Sequence, residues 1–358
     1  MNGSTDMGYD VDEIDFKEKS DDALTPILHF VNELNRELHP RHVDLSLGEL
    51  RTFADFPGNI RRRFMVREET GDLVALSEMR YPDDGSNPEV LRCDIRVSAE
   101  HRRQGVGTML LGHIAGIATE LGRRTLLSWH FDTVPAGAAF ARAVGAEEKL
   151  RFHDNVLRIE DLDVELMRSW AGAGPERAPG YSVEVIDGRW PEDLLEGIAH
   201  LYYVLERDMP MSEGHEPREW TAELIERMQN HYLQSTDALT AIAVEEDTGE
   251  PVGMSQLIRR HSDPTTWIVT TTMVDPDHRG KAIGKWVKGA ANLAALENWK
   301  GGVYQETGNA LTNEAMLSIN RAMGFEHEKT TTEVDIEVGD ALAYVTSKTG
   351  AIGRGASE

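Results

Sequence analysis

Apolar positions along this chain switch between a strand period of two and a helix period of about 3.6, and the order of the switches occurs twice. In the first half LTPILHFVNELNREL carries apolar residues at helical spacing. RRRFMVREETGDLVALSEMRY then reads as two strands joined at a Thr-Gly-Asp turn, and VLRCDIRV as a third. The apolar helix VGTMLLGHIAGIATELG follows, then the strand RTLLSWHF and a short helix ending at Gly145-Ala146. The second half repeats the layout. EDLLEGIAHLYYVLERD and WTAELIERMQNHYL predict two helices, and ALTAIAVEEDTGEPVGMSQLIRR predicts two strands with Thr-Gly-Glu at the turn. TTWIVTTTMV is the third strand, IGKWVKGAANLAALENW the helix, and GGVYQET the next strand, before a helix ending at Gly324-Phe325.

Each half therefore predicts strand, two helices, three strands, helix, strand, helix, strand, an α/β arrangement. The Gly-, Ala- and Pro-rich run MRSWAGAGPERAPG breaks the periodicity between them. The expected organisation is a flexible N-terminus over 1–9, one domain over 10–165, a linker over 166–180, a second domain over 181–346 and a flexible tail over 347–358.

Composition narrows the function. With 358 residues, 40% hydrophobic and 28% charged, the chain is long enough for two ordinary globular cores. A formal charge of −25 argues against nucleic acid as partner, because that affinity rests on Lys and Arg meeting phosphates. The same charge favours cationic partners by long-range attraction, although acid at the surface also serves solubility. No apolar run is long enough to span a bilayer, and the acidic start lacks the apolar stretch of a secretory signal. The single cysteine, Cys93, leaves no intrachain disulfide or cysteine-rich metal site. A cytoplasmic protein with no metal is the expectation.

The repeat is sharpest at one motif. Val97-Ser-Ala-Glu-His101-Arg102-Arg103-Gln104-Gly105-Val106-Gly107 matches Val274-Asp-Pro-Asp-His278-Arg279-Gly280-Lys281-Ala282-Ile283-Gly284, with every shared residue 177 positions apart. Each copy joins a strand to a helix start, where unpaired N–H groups and the helix dipole favour an anion. Small residues at 105, 107, 282 and 284 let a ligand approach the backbone. Arg102, Arg103, Arg279 and Lys281 add positive charge, a combination suited to a phosphate or pyrophosphate. There is no Walker Lys-Ser/Thr pair, and three strands precede the loop where a dinucleotide fold has its first.

With its Arg-x-x-Gly/Ala-x-Gly loop before the central helix, the chain resembles the GCN5-related N-acetyltransferase (GNAT) superfamily. The loop occurs twice, and the likeness covers nearly the whole chain. It is similar to the tandem two-domain type of actinobacteria, the group that includes mycothiol synthase. The resemblance implies two domains, each a mixed, mostly antiparallel sheet flanked by helices. It also implies acetyl-CoA as cofactor, with its pyrophosphate on the loop N–H groups of residues 102–107 and 279–284. Its pantetheine arm would lie along Val97 in the first domain and Met273-Val274 in the second.

The run Thr307-Gly-Asn309-Ala-Leu-Thr-Asn313 through Asn320 to Gly324-Phe325 carries a further family signature. The resemblance implies that Asn313, with Asn309, reaches the coenzyme. The family's thiolate-protonating tyrosine falls at Asn320, so Tyr304 is the other candidate for that step. In the first domain the same two positions hold Val134 and Ala141, which implies that the second domain catalyses. Direct transfer to an amine needs a proton acceptor. Glu306, at the end of a strand, is the candidate base, and Glu78 and Asp94 are the matching acids of the first domain. Glu213, His215 and Glu216, in an acidic loop, are candidates for meeting a cationic amine. The expected substrate is a small-molecule amine such as an aminoglycoside or amino sugar. A cysteinyl amino-sugar conjugate, as for mycothiol synthase, is the near alternative, and a non-catalytic acyl-CoA-binding regulator is the alternative of another class.

Overall fold

A computed structural model describes residues 3–4, 9–39, 41–208 and 216–352, with side chains described as far as 348. In chain order the first elements are β1 (Gly3–Ser4), β2 (Tyr9–Glu13), α1 (Asp21–Leu38), α2 (Leu47–Ala54), β3 (Asn59–Glu68), β4 (Leu73–Pro82) and β5 (Val90–Val97). Then come α3 (Val106–Glu120), β6 (Thr125–Phe131), α4 (Pro135–Val144) and β7 (Glu147–Arg158). α5 (Val164–Gly172) and α6 (Gly174–Arg177) follow. The second series is β8 (Tyr181–Asp187), α7 (Leu195–Asp208), α8 (Ala222–Tyr232), β9 (Thr236–Glu245), β10 (Pro251–Arg260) and β11 (Asp263–Val274). α9 (Ile283–Asn298), β12 (Tyr304–Ala310), α10 (Glu314–Met323), β13 (Glu326–Glu337) and α11 (Val338–Ile352) complete it. The order within each half is the one the periodicity predicts, with an extra strand at the start of the first half and further helix after the last strand of each.

The compact units do not follow the two halves of the sequence. Unit 1 comprises residues 1–151, 211–216 and 331–358, and unit 2 comprises 152–210 and 217–330. In unit 1 the strand order is β1-β2-β3-β4-β5-β6-β13, and in unit 2 it is β7-β12-β11-β10-β9-β8. Thr331–Glu337 of β13 pairs antiparallel with β6, and Phe152–Arg158 of β7 pairs antiparallel with β12. Each half thus gives its last strand, and the helix after it, to the unit built mainly from the other half. Ile336, Val338 and Ala341 are buried in the unit 1 core with Val106, Leu110, Ile114 and Leu126. α11 packs closely on α3, where a Cβ added at Gly112 would lie 3.0 Å from Val345.

The run read as a linker over 166–180 is helical instead, for a packing reason. Asp163 caps α5 through a bond from the Leu166 N–H. A Cβ at Gly289 would lie 2.8 Å from the Met167 carbonyl, and one at Gly174 would lie 2.0 Å from the Trp286 ring. Small residues here are for close approach of α5 and α6 to α9. Within the end segments 1–9 and 347–358, Gly3–Ser4 and Tyr9 lie in strands and α11 continues to Ile352, and the rest of both lies outside the described residues. Among the described residues no helix is long and apolar enough to cross a membrane.

Candidate functional site

In each unit one parallel strand pair opens into a fork. β5 pairs with β6 only from Val90↔Thr125 to Arg92↔Leu127, and β11 pairs with β12 only from Thr266↔Tyr304 to Val269↔Thr307. Beyond those registers the strands part, leaving Cys93–Val97 and Thr270–Val274 without strand pairing on that side. The loop after each open strand leads into the central helix.

The two loops have the same conformation. Arg103 and Gly105 have φ of 64° and 91°, and their counterparts Gly280 and Ala282 have 81° and 62°. Each loop therefore holds two left-handed residues separated by one, an arrangement that turns successive N–H groups to one side. Each also accepts one non-glycine in that region, at a cost set by its Cβ. Gly107 and Gly284 differ from these. A Cβ at 107 would meet Phe140 at 3.8 Å and one at 284 would meet Val274 at 3.5 Å, both ordinary contacts. The packing does not require glycine at either position, so the missing side chain leaves room for something outside the fold.

The arginine shared by both motif copies, Arg102 or Arg279, is tied to the protein. Arg102 Nε donates to the Val97 carbonyl at 3.0 Å, and its Nη1 reaches Glu37 of α1 at 2.6 Å. Arg279 repeats this, to the Val274 carbonyl at 3.0 Å and Asp208 of α7 at 2.6 Å. Lys281 Nζ lies 2.9 Å from the Tyr181 hydroxyl, which also bonds His278 Nδ1 at 2.8 Å. His101 bonds the Ser98 hydroxyl at 2.7 Å, so both motif histidines hold their turns. Gln104 donates to the Glu100 carbonyl at 2.8 Å. Arg103 is exposed and is the cation of the first loop that carries no described tie.

A cavity of about 1570 Å³ lies in unit 1, against this loop and inside the β5/β6 fork. Val97, Arg102–Gly105 and Gly107 form one wall, and Trp129, His130 and Phe131 of β6 another. Leu34, Asn35 and Leu38 of α1, Phe140 of α4, and Tyr344 and Lys348 of α11 complete it. Asp94 lines it too, paired with Arg96 at 2.9 Å. His130 escaped the sequence reading. Its Nδ1 is buried without a hydrogen-bond partner, and burial pushes the imidazole below its usual pKa, so it is neutral at pH 7. A Cβ at Gly137 would lie 2.8 Å from the His130 Cβ, so that glycine lets α4 close over the ring. Tyr344 and Lys348 were also missed, because nothing local shows that the last helix reaches this cavity.

In unit 2 the candidate residues are engaged with one another. Lys288 of α9 is fully buried and donates to Asn320 Oδ1 at 2.8 Å, while Asn320 Nδ2 donates to Asn309 Oδ1. Gln305 Nε2 donates to Asn292 at 2.9 Å beside them. Burial pushes the Lys288 ammonium down to about 7. Asn320 is 2% exposed, with its Oδ1 and one N–H of its amide engaged. Asn313 is exposed and caps α10, its Oδ1 accepting from the Met316 N–H at 3.2 Å. Met273 is buried under α7, and Ile283 and Val106 are core residues, so any ligand contact there is through backbone. Glu306 is half-buried on the strand face opposite Gln305, near Lys329, and Tyr304 is half-buried at the start of β12. Glu213 and His215 lie outside the described residues. Glu216 is held in unit 1 by its backbone, its N–H donating to Asn87 Oδ1 at 2.8 Å.

Comparison with known proteins agrees with this geometry. The profile of the Acetyltransferase (GNAT) family matches residues 28–146 and again 200–316. A tandem GNAT protein from the clavulanic acid biosynthesis pathway, solved without acetyl-CoA, superposes with a TM-score of 0.74 at 22% identity, over 92% of this chain and 98% of that one. A GCN5-related N-acetyltransferase from Sphaerobacter thermophilus gives 0.61 at 13% identity, over 93% and 96%. Saccharomyces cerevisiae N-myristoyltransferase, with myristoyl-CoA and inhibitors bound, gives 0.57 at 12% identity, over 92% and 80%. At such identities the likeness is one of fold. No curated relative matches in a sequence comparison. With both loops, both forks and two matched segments in place, the chain belongs to the GNAT acetyltransferase family and carries its domain twice.

Proposed function

We propose that this protein transfers an acetyl group from acetyl-CoA to the amine of a small molecule, and that the coenzyme occupies the unit 1 cleft. The observation that carries this reading is the large cavity joining the paired left-handed loop to the β5/β6 fork. The residues suit the group. N–H groups of 103–107 and the start of α3 face an anion, exposed Arg103 adds charge, and Gly107 leaves space that packing alone would not demand. The unpaired strand edge of β5 offers backbone bonds to an amide-bearing arm. Bound acetyl-CoA would supply the activated thioester.

In the transfer, the amine nitrogen attacks the thioester carbonyl carbon, a C–N bond forms, the C–S bond breaks and the thiolate leaves. The nitrogen becomes strongly acidic as it bonds, and His130, which lines the cleft and is neutral, takes its proton. This places chemistry in unit 1, where the sequence suggested the second domain. Unit 2 supports that shift, since Asn309 and Asn320 are bound to each other around Lys288.

Thiol release from acetyl-CoA across aminoglycosides, amino sugars, amino acids, polyamines and cysteinyl amino sugars tests the reading. Release with one amine class is expected. Coenzyme binding without release from any amine would leave a binding module in place of an enzyme.

A further inference from the structure

The sheet face of unit 1 that carries Asp94 and Trp129 bears an unusual set of charges. Antiparallel register places Arg61 opposite Arg80 and Arg80 opposite Arg92, three arginines side by side across β3, β4 and β5. The next rung on that face is Arg63, Glu78 and Asp94, and the one after ends in Arg96. Like charges directly opposite in a sheet destabilise it. The two carboxylates are already committed: Glu78 holds Arg61 and Arg63 at 2.7 Å each, and Asp94 holds Arg96 at 2.9 Å. Arg80 reaches Glu78 only at 4.0 Å, and among the described residues Arg92 has no ion-pair partner. Five arginines against two carboxylates stand in a chain whose net charge is −25. Burial and the neighbouring Arg61 and Arg92 push the Arg80 guanidinium down to about 10.

This rung adjoins the cleft. The Arg80 guanidinium lies over the Trp129 ring, 5.3 Å from its centroid, and Trp129 lines the cavity. Arg92 is two residues along β5 from Asp94, which also lines it. Two residues along a strand span about 7 Å, within reach of the far end of a small acceptor.

We infer that the acceptor amine of the unit 1 cleft also carries an oxyanion group, a carboxylate or a phosphate, held by Arg80 and Arg92 beside Trp129. The inference rests on the proposed function and narrows it to anionic amines, where the acidic surface alone pointed to cationic ones. A guanidinium presents a planar fork of donors to either oxyanion. An oxyanion held there would also offset the repulsion among the three arginines.

The test is titration calorimetry of the full chain loaded with coenzyme A, using short and long ω-amino carboxylates, the matching amino phosphonates and the matching carboxamides. At least one anionic series should bind about tenfold or more tightly than its amide, the loss typical of a charged hydrogen bond. The order of carboxylate and phosphonate tells which oxyanion is preferred. Arg80→Gln and Arg92→Gln should each bring anion and amide to near-equal affinity while coenzyme A binds unchanged. The melting temperature of Arg92→Gln should hold or rise, where a merely structural arginine would lower it. Amides that bind as tightly as the anions, no binding by any probe, or a preference that survives both substitutions would overturn the inference. Failure of coenzyme A to bind at all would instead overturn the reading of the cleft.

Discussion

Arg102 and Val97 are joined by a 3.0 Å bond from the guanidinium Nε to the strand-end carbonyl, and Glu37 takes the rest of the fork. The arginine shared by both motif copies thus fastens the open strand to the first helix, whereas its neighbour Arg103 is exposed with a strained φ of 64°. The two should separate on mutation. Arg102→Ala should lower stability by about 1 kcal/mol, as for a partly exposed forked ion pair. Arg103→Gly should raise stability by about 1 kcal/mol through relief of the left-handed strain, while weakening coenzyme binding. Urea unfolding beside coenzyme titration reads both.

The same strain appears at Ala282, with φ of 62°. Ala282→Gly should be tolerated or stabilising by about 1 kcal/mol, and Gly105→Ala, at the matching position with φ of 91°, should cost about as much. Denaturant midpoints of the two variants check the sign.

Burial holds Lys288 down to about 7 in the folded chain, against 10.5 for an ordinary lysine. Between those values the unfolded chain holds a proton that the folded chain lacks, so unfolding free energy should rise as pH goes from 7 towards 9. Lys288→Met should remove that rise, which unfolding curves at several pH values would show.

His130 and His113 are both pushed below 6.5 by burial. Stability should be fully present above 6.5 and fall as pH drops below it, because the unfolded chain protonates first. If His130 takes the proton from the amine, kcat/KM falls over the same acid range, and His130→Gln loses most activity together with that acid limb. A pH–rate profile of the wild type and variant decides it.

The exchanged arms predict that neither half folds alone. Residues 1–165 lack β13 and α11, so β6 has a bare edge and the core lacks Ile336, Val338 and Ala341. That fragment should be insoluble or without a cooperative transition, and coexpression with residues 166–358 should restore a soluble complex. A cooperative, soluble 1–165 would contradict the exchange.

The order of elements was legible because it rests on local periodicity and on turn residues such as Thr70-Gly71 and Thr248-Gly249. The partners of β7 and β13 were not, since nothing in either strand's own alternation distinguishes β6 from β12. Glycine at 174 and 289 looks the same in a linker and at a helix contact, and only the position of Trp286 and Met167 tells them apart. The arginine rung was hidden for a related reason: Arg61, Arg80 and Arg92 each sit on an ordinary polar face until register aligns them. Asn313 did carry a readable signal, an Asn before Glu-Ala-Met at a helix start, which is a cap pattern.

Location of the coenzyme is the central claim, and calorimetric titration of coenzyme A into Gly107→Leu and Gly284→Leu tests it most directly. Both glycines have room for a Cβ, so both variants should fold. Loss of binding in Gly107→Leu, with Gly284→Leu binding as the wild type does, is the result expected if the unit 1 cleft holds the coenzyme. Binding lost in Gly284→Leu and kept in Gly107→Leu would move the site to unit 2 and contradict it.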